Sequence, residues 1–168
     1  MNEVKLESER LFLKALSLNE LLLINGNEMH NLATPIESEA ILDSVQLAIA
    51  KKIKKMRGIN KDIHPWYTYW LIIDKKTENG IVFIGYKGLP DEKGCSEVGY
   101  SISSNHRKKG LMTESLKALM EWASEYLNCK GIVANVLKTN IGSIKVLTNC
   151  KFRLVSSNER ENRYLHFF

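Results

Sequence analysis

From Glu97 to Leu116 the sequence reads EVGYSISSNHRKKGLMTESL, a strand-like stretch that passes through a basic turn straight into an amphipathic helix. The first amides of a helix have no partner within it, and together with the positive end of the helix dipole they form an anion site. Gly110 has no side chain to hold a phosphate away from the backbone, and Arg107, Lys108 and Lys109 bring formal charge to the same end. Each cation placed there costs some tenths of a kcal/mol, roughly, so a bound anion offsets a real penalty. The same residues also suit an ordinary solvated loop.

Other reactive side chains are sparse. Cys95, Cys129 and Cys150 are widely separated, form no C-x-x-C pair and have no histidine at ligand spacing, so neither a metal site nor a disulfide framework is expected. They read as buried or half-buried filler. The segment GINKDIHPWYTY gathers His64, Trp66, Tyr67 and Tyr69 beside a lysine-rich helix end. Such a rim suits an acidic peptide or an anionic small molecule, while the same aromatics also serve as strand and core residues. The run KKIKKMRGINK from Lys51 to Lys61 is read as the solvated face of a helix, with nucleic-acid binding as the alternative.

The elements that must position these groups follow from periodicity. LFLKAL, from Leu11 to Leu16, reads as a strand, and Ser17 with Glu20 three residues on forms a capping box opening a helix. Thr34-Pro35-Ile36-Glu37 carries the same signal, which predicts a second helix from there through Ile41, Val45, Ile49, Ile53 and Met56, its lysines facing water. WYTYWLIID, IVFIGYKGL and SEVGYSI, separated by Asn79-Gly80 and Asp91 to Gly94, predict three antiparallel strands. A helix with Met112, Leu116, Leu119, Met120 and Ala123 inward follows, then a strand over Gly131 to Leu137. A short helix from Asn140 and strands around Phe152 to Val155 and Tyr164 to Phe168 complete the order. That alternation implies an α/β fold with a mixed sheet.

At 168 residues, with 44% hydrophobic and 26% charged side chains, the chain reads as a single domain over 1–168 with one adequate core. No apolar run approaches the roughly 20 residues of a membrane span, and the opening MNEVKLESER lacks the apolar region of a signal peptide, so the expected location is the cytoplasm. The net charge of +5 favours an anionic ligand or serves only solubility. The apolar last strand, YLHFF, is suited to pair or pack with a second copy in a homodimer.

Taken in order, these pieces resemble the GNAT acyltransferases, whose diphosphate loop reads R/Q-x-x-G-x-G/A between the fourth strand and the third helix. Arg107-Lys-Lys-Gly110-Leu-Met112 fits it at Arg107 and Gly110, with Met112 in place of the small last residue. LESERLFLKALSLNEL, SEVGYSIS, GLMTESLKALMEWA and Asn140-Ile-Gly-Ser143 are similar to segments of the ribosomal-protein N-terminal acetyltransferases within that superfamily. The resemblance implies the acyl-CoA N-acyltransferase fold, mostly antiparallel with a central splay and helices on both faces. It implies acetyl-CoA as cosubstrate and no metal.

The diphosphate would then lie on the amides from Lys108 through Gly110, Leu111 and Met112 to Thr113, and the pantetheine arm would pair with Ser101 and Ile102 as an added strand. Asn140 would contact the arm, or simply cap its helix. The acceptor would be a primary amine, a protein N-terminus or a small molecule. Deprotonating a lysine amine at pH 7 costs about 4.6 kcal/mol and an α-amine only about 1 to 1.5 kcal/mol, so a base is needed most for lysine. Glu97 is the candidate base, or else a strand glutamate paired to a lysine opposite, as strand parity decides. The tyrosine that many relatives use to protonate the thiolate is Leu147 here, which leaves Ser143 as the candidate donor, or a residue bonding within its own helix. The usual Gly-Phe after that helix is Lys151-Phe152. In relatives the His64, Trp66 and Tyr67 segment borders the acceptor cleft. A catalytically silent CoA-binding module and a basic nucleic-acid-binding domain are the competing readings.

Overall fold

The computed structural model describes residues 3–168; Met1 and Asn2, the first residues of the opening segment read above against a signal peptide, lie outside the described residues. Among the described residues, four α-helices and eight strands make up the fold, with short 3-10 turns between them. They are β1 (Lys5–Glu7), β2 (Leu11–Ala15), α1 (Leu18–Asn25), α2 (Asp43–Met56), β3 (Trp70–Asp74), β4 (Gly80–Tyr86) and β5 (Cys95–Ser101). After them come α3 (Leu111–Ser124), β6 (Gly131–Leu137), α4 (Ile141–Asn149), β7 (Arg153–Ser157) and β8 (Glu161–Phe167). No helix among the described residues is long and apolar enough to cross a membrane.

The strands form one sheet in the order β1-β2-β3-β4-β5-β6-β8-β7, antiparallel throughout except where β5 lies parallel to β6. Helices cover both faces, as the α/β reading with a mostly antiparallel mixed sheet requires. On one face Trp70, Ile84, Tyr86, Val98, Ile132 and Ala134 pack against the inward side of α3 and α4. On the other Leu71, Ile73 and Phe83 meet Leu21 of α1 and Val45, Ile49 and Met56 of α2. Successive residues of β3 alternate between these two layers, so the parity of a strand residue decides which layer it enters.

Several expectations hold at the level of single residues. Ser17 accepts a hydrogen bond from the Glu20 amide at 3.1 Å, and the Ser17 amide donates to Glu20 Oε1 at 3.0 Å. Leu116, Leu119 and Ala123 are buried in the core, and Met112 turns inward beside them. Cys129 and Cys150 are buried and Cys95 is half-buried.

Others fail for identifiable reasons. Thr34 to Glu37 does not start a helix. The Gly80 amide donates to Pro35 O at 2.7 Å and the Glu37 amide to Gly80 O at 2.9 Å, so this segment pairs with the start of β4 and α2 begins only at Asp43. A tertiary strand-like pairing overrides a local capping signal. Strand β1 was not anticipated, since three residues with two charges carry no apolar pattern. Lys52 does not face water; it is 8% exposed. Finally, β8 lies between β6 and β7, so it has no open edge for pairing with a second copy, and β1 and β7 are the edge strands.

Candidate active site

The parallel ladder between β5 and β6 is short. Cys95, Ser96 and Glu97 pair with Gly131, Ile132 and Val133, and beyond that point β5 keeps only β4 while β6 keeps only β8. The sheet therefore splays at Glu97. The Lys87 amide donates to Glu97 O at 2.8 Å, and with a period of two the odd residues of β5 turn their backbone groups to β4. The even residues turn theirs toward β6, and past the last ladder pair the backbone of Tyr100 faces the open gap. The backbone of Ser101, expected to pair with an added strand, lies on the β4 side, opposite Phe83.

Both diverging strands end in helix starts. After β6, Asn140 caps α4 by accepting from the Ser143 amide at 3.1 Å. After β5, the chain passes Ile102, makes a short turn over Ser104–His106, and reaches Gly110, which adopts φ 73° and caps α3. Lys108 also has a positive φ, 62°. The leading amides of α3, at Leu111, Met112 and Thr113, follow directly. Arg107, Lys108 and Lys109 are exposed beside them, with Arg107 Nε donating to Ile102 O at 3.3 Å. Two positive helix ends and three cations thus border the mouth of one gap, an arrangement suited to a polyanionic head with an extended arm.

The loop is braced from outside. Arg10 donates through Nη1 to Lys109 O at 2.9 Å and through Nε to Glu114 Oε1 at 2.8 Å, and Ser8 Oγ donates to Glu114 Oε2 at 2.5 Å. Although burial pulls the Glu114 carboxyl upward, these donors hold it below its ordinary value. His106 Nε2 meets Glu37 Oε2 at 2.7 Å, tying the loop to the segment before α2.

Glu97 points to the α2 face, where Lys87, Asn135 and Arg163 surround it. Its carboxylate forms an ion pair with Lys87 and accepts from Asn135 Nδ2 at 3.0 Å, and Arg163 Nη1 donates to Asn135 Oδ1 at 3.3 Å. The paired-strand reading of Glu97 is thus the one the resting geometry displays. Asn135 and Arg163 also line a hollow with Ser156, Ser157 and Asn162. Sequence reasoning passed over Lys87, Asn135 and Arg163; the parity of three strands places them, and no motif marks it.

On the opposite face Tyr100 reaches α4, its hydroxyl donating to Ser143 O at 3.3 Å. Burial pushes that hydroxyl well above the ordinary tyrosine value, so it stays protonated. Leu147 is fully buried, and Lys151 takes the turn after α4 at φ 64° without glycine.

The acceptor candidates scatter. Trp66 is 3% exposed and packs against Tyr86, Trp122 and Tyr126, which places its ring in the core on the α3 face rather than on an open rim. Ring stacking inside the core wins over solvent exposure for so large an apolar surface. His64 Nε2 bonds Met56 O at 3.0 Å and finishes α2. Tyr67, half-buried, bridges the two core layers, and Lys52 Nζ donates to its carbonyl at 3.2 Å.

A family model described as an acetyltransferase (GNAT) domain matches residues 10–153. The uncharacterized N-acetyltransferase YjdG of Bacillus subtilis is 32% identical over 98 residues, 58% of this chain and 56% of that protein. The chain spans about half the length of the curated relatives it matches. Among solved structures, the ribosomal-protein-S5-alanine acetyltransferase of Vibrio fischeri superposes with a TM-score of 0.69 at 19% identity, covering 98% of this chain and 96% of that one. A ribosomal L7/L12 alpha-N-protein acetyltransferase in complex with coenzyme A gives a TM-score of 0.69 at 17% identity, covering 98% of each chain. At these identities the superpositions establish the fold.

Proposed function

Because the chain belongs to the GNAT acetyltransferase family, we propose that it is a single-domain cytoplasmic N-acetyltransferase, over 1–168, that moves an acetyl group from acetyl-CoA to a primary amine. The observation that carries this reading is the gap between β5 and β6 with the starts of α3 and α4 at its mouth. The residues present fit the cosubstrate. Its diphosphate sits on the amides of Leu111, Met112 and Thr113 beside Arg107, Lys108, Lys109 and Gly110. Tyr100 and Ile102 offer backbone groups to its arm, and Asn140 lies across the gap. Met112 leaves the loop free by pointing into the core.

The acceptor approaches from the α2 face, through the hollow beside Asn135 and Arg163. Its ammonium displaces Lys87 from Glu97, which takes the proton and leaves a neutral nucleophile. A strand amide facing the gap stabilises the oxyanion, and the thiolate leaves with the C–S electron pair and takes a proton from Ser143 at the start of α4, which recovers the proton shed by the attacking nitrogen. A protein N-terminus fits this site best, since its amine needs the least help to deprotonate. The acceptor proteins named for the structural neighbours, S5 and L7/L12, make ribosomal N-termini the first peptides to try.

Calorimetric titration with acetyl-CoA, followed by CoA-release assays over N-terminal peptides, lysine peptides and small amines, tests the proposal. Micromolar binding with turnover of an α-amine is expected. Binding without turnover of any amine would favour the silent module, for which the buried Leu147 in place of a tyrosine is the supporting observation. Absence of binding would overturn the reading and bring nucleic acid forward as ligand.

A further inference from the structure

Glu97 already holds an ammonium, and it belongs to the protein itself. Lys87 follows β4 and stands directly across from Glu97, its amide donating to Glu97 O at 2.8 Å and its Nζ paired with Glu97 Oε2. Its aliphatic stem passes over Gly99, where a Cβ would lie 3.5 Å from Lys87 Cε. Gly99 lies between the last ladder residues of β5 and Tyr100, whose backbone faces the open gap. The backbone that carries Lys87 is pinned from α2: Lys52 Nζ donates to Tyr86 O at 3.1 Å and Lys55 Nζ to Lys87 O at 3.4 Å. The Lys87 side chain is 57% exposed, so it has room to move while its root is fixed.

We propose that Lys87 is an internal acceptor, acetylated in cis by acetyl-CoA bound in the β5–β6 gap; this rests on the transferase reading above. The Lys87 ammonium gives one proton to the Glu97 carboxylate, which later passes it to water. The neutral Nζ then attacks the thioester carbonyl carbon and a C–N bond forms. The C–S bond breaks, the sulfur leaves with the electron pair, and it takes the second nitrogen-bound proton. Acetyl-Lys87, free CoA and one proton are the products. Acetylation removes the cation that occupies Glu97 and opens that carboxylate to an external amine. The modification is therefore an activating one, and Lys87 in its charged form competes with the acceptor for the base.

The experiment is incubation of the full chain with acetyl-CoA and no acceptor, followed by peptide mass mapping over time at several protein concentrations, with calorimetry on the same samples. Lys87 is expected to gain one acetyl group at least about tenfold faster than the exposed Lys117, as an oriented intramolecular reaction would, at a rate independent of protein concentration. Glu97→Gln is expected to slow that site by about 10²-fold while the background at Lys117 is unchanged. Lys87→Arg keeps the ion pair without a nucleophile, and it is expected to bind acetyl-CoA as the parent does and to carry no acetyl group at that position. Acetyl-CoA binding with Lys87 modified no faster than Lys117, or equally fast in Glu97→Gln, or at a rate proportional to protein concentration, would overturn this proposal alone. Failure to bind acetyl-CoA would remove the transferase reading along with it.

Discussion

Lys52 is a cation placed where water hardly reaches it. Its Nζ donates to the carbonyls of Tyr67 and Tyr86 and lies 4.6 Å from the Tyr69 ring centre, with no carboxylate beside it. Burial, reinforced by the neighbouring charges of Lys55 and Lys87, lowers its pKa to about 7. In the unfolded chain the same amine titrates near its ordinary 10.5. Below about pH 7 both states hold the proton and the folded state bears the full burial penalty. Between there and the unfolded value the unfolded chain binds more protons, so stability rises with pH. Lys52→Met is expected to be more stable than the parent at about pH 6 by several kcal/mol at most, and the advantage should vanish toward about pH 10. Urea unfolding at the two pH values checks this. Lys151 poses the opposite kind of cost. It ends α4 at φ 64°, with its amide on Thr148 O at 3.0 Å and the Phe152 amide on Leu147 O at 3.0 Å. A side chain in that conformation costs about 1 kcal/mol or more. Lys151→Gly should raise Tm by about 2 to 4 °C, read by calorimetry, and leave the acetyl-CoA Kd unchanged.

Helix α3 does its work at its first turn. Gly110 supplies the left-handed cap that aims the following amides outward, and Arg10 and Glu114 fix that turn against the β1–β2 hairpin. A β-branched residue at φ 73° is strained by about 1 to 3 kcal/mol. The turn relieves that strain by rotating its amides away from the anion. Gly110→Val should therefore weaken acetyl-CoA binding by about tenfold or more, measured by titration calorimetry. An unaltered Kd would mean the diphosphate lies elsewhere. Helix α4 contributes through the same device with a different residue, since Asn140 satisfies the Ser143 amide. Capping and contact with a cofactor arm are compatible uses of one side chain.

Across the molecule, the gap is where the two halves of the sheet part company. β1 to β5 form one meander-like half and β6, β8 and β7 the other, and the two halves pair through three residue pairs of β5 and β6. A ligand lying along both edges adds contacts at this seam, so it should stabilise the whole fold. At about a hundred times its Kd, acetyl-CoA stabilises the folded state by about 2.7 kcal/mol. For a chain of this size that corresponds to a Tm increase of about 5 to 10 °C, readable by thermal unfolding. Because Arg107, Lys108 and Lys109 are exposed, the shift at fixed acetyl-CoA should shrink as salt is raised from about 0.05 to about 0.5 M. A shift insensitive to salt would assign the binding to the arm alone.

Local chemistry was enough to read much of this from the chain. The Ser17–Glu20 capping box, the α3 face of Leu116, Leu119 and Ala123, the bounds of β6 and the Asn140 cap depend on neighbours within a few residues, and each is legible in the order of side chains. The basic turn ending at Gly110 is local in the same sense, so its charges and its glycine are legible in the order of side chains alone. Tertiary structure decided the rest. Whether Thr34 to Glu37 would be helix or strand-like depended on Gly80, more than forty residues away in the chain, to an order of magnitude given by no local rule. Trp66 went to the core because Tyr86 and Trp122 were there to receive it. The setting of Glu97 needed Lys87, Asn135 and Arg163 brought side by side from β5 and its neighbours. Strand order and parity place such groups, and those are settled by which pairing buries the most apolar surface over the whole sheet, a quantity that no short window of sequence contains.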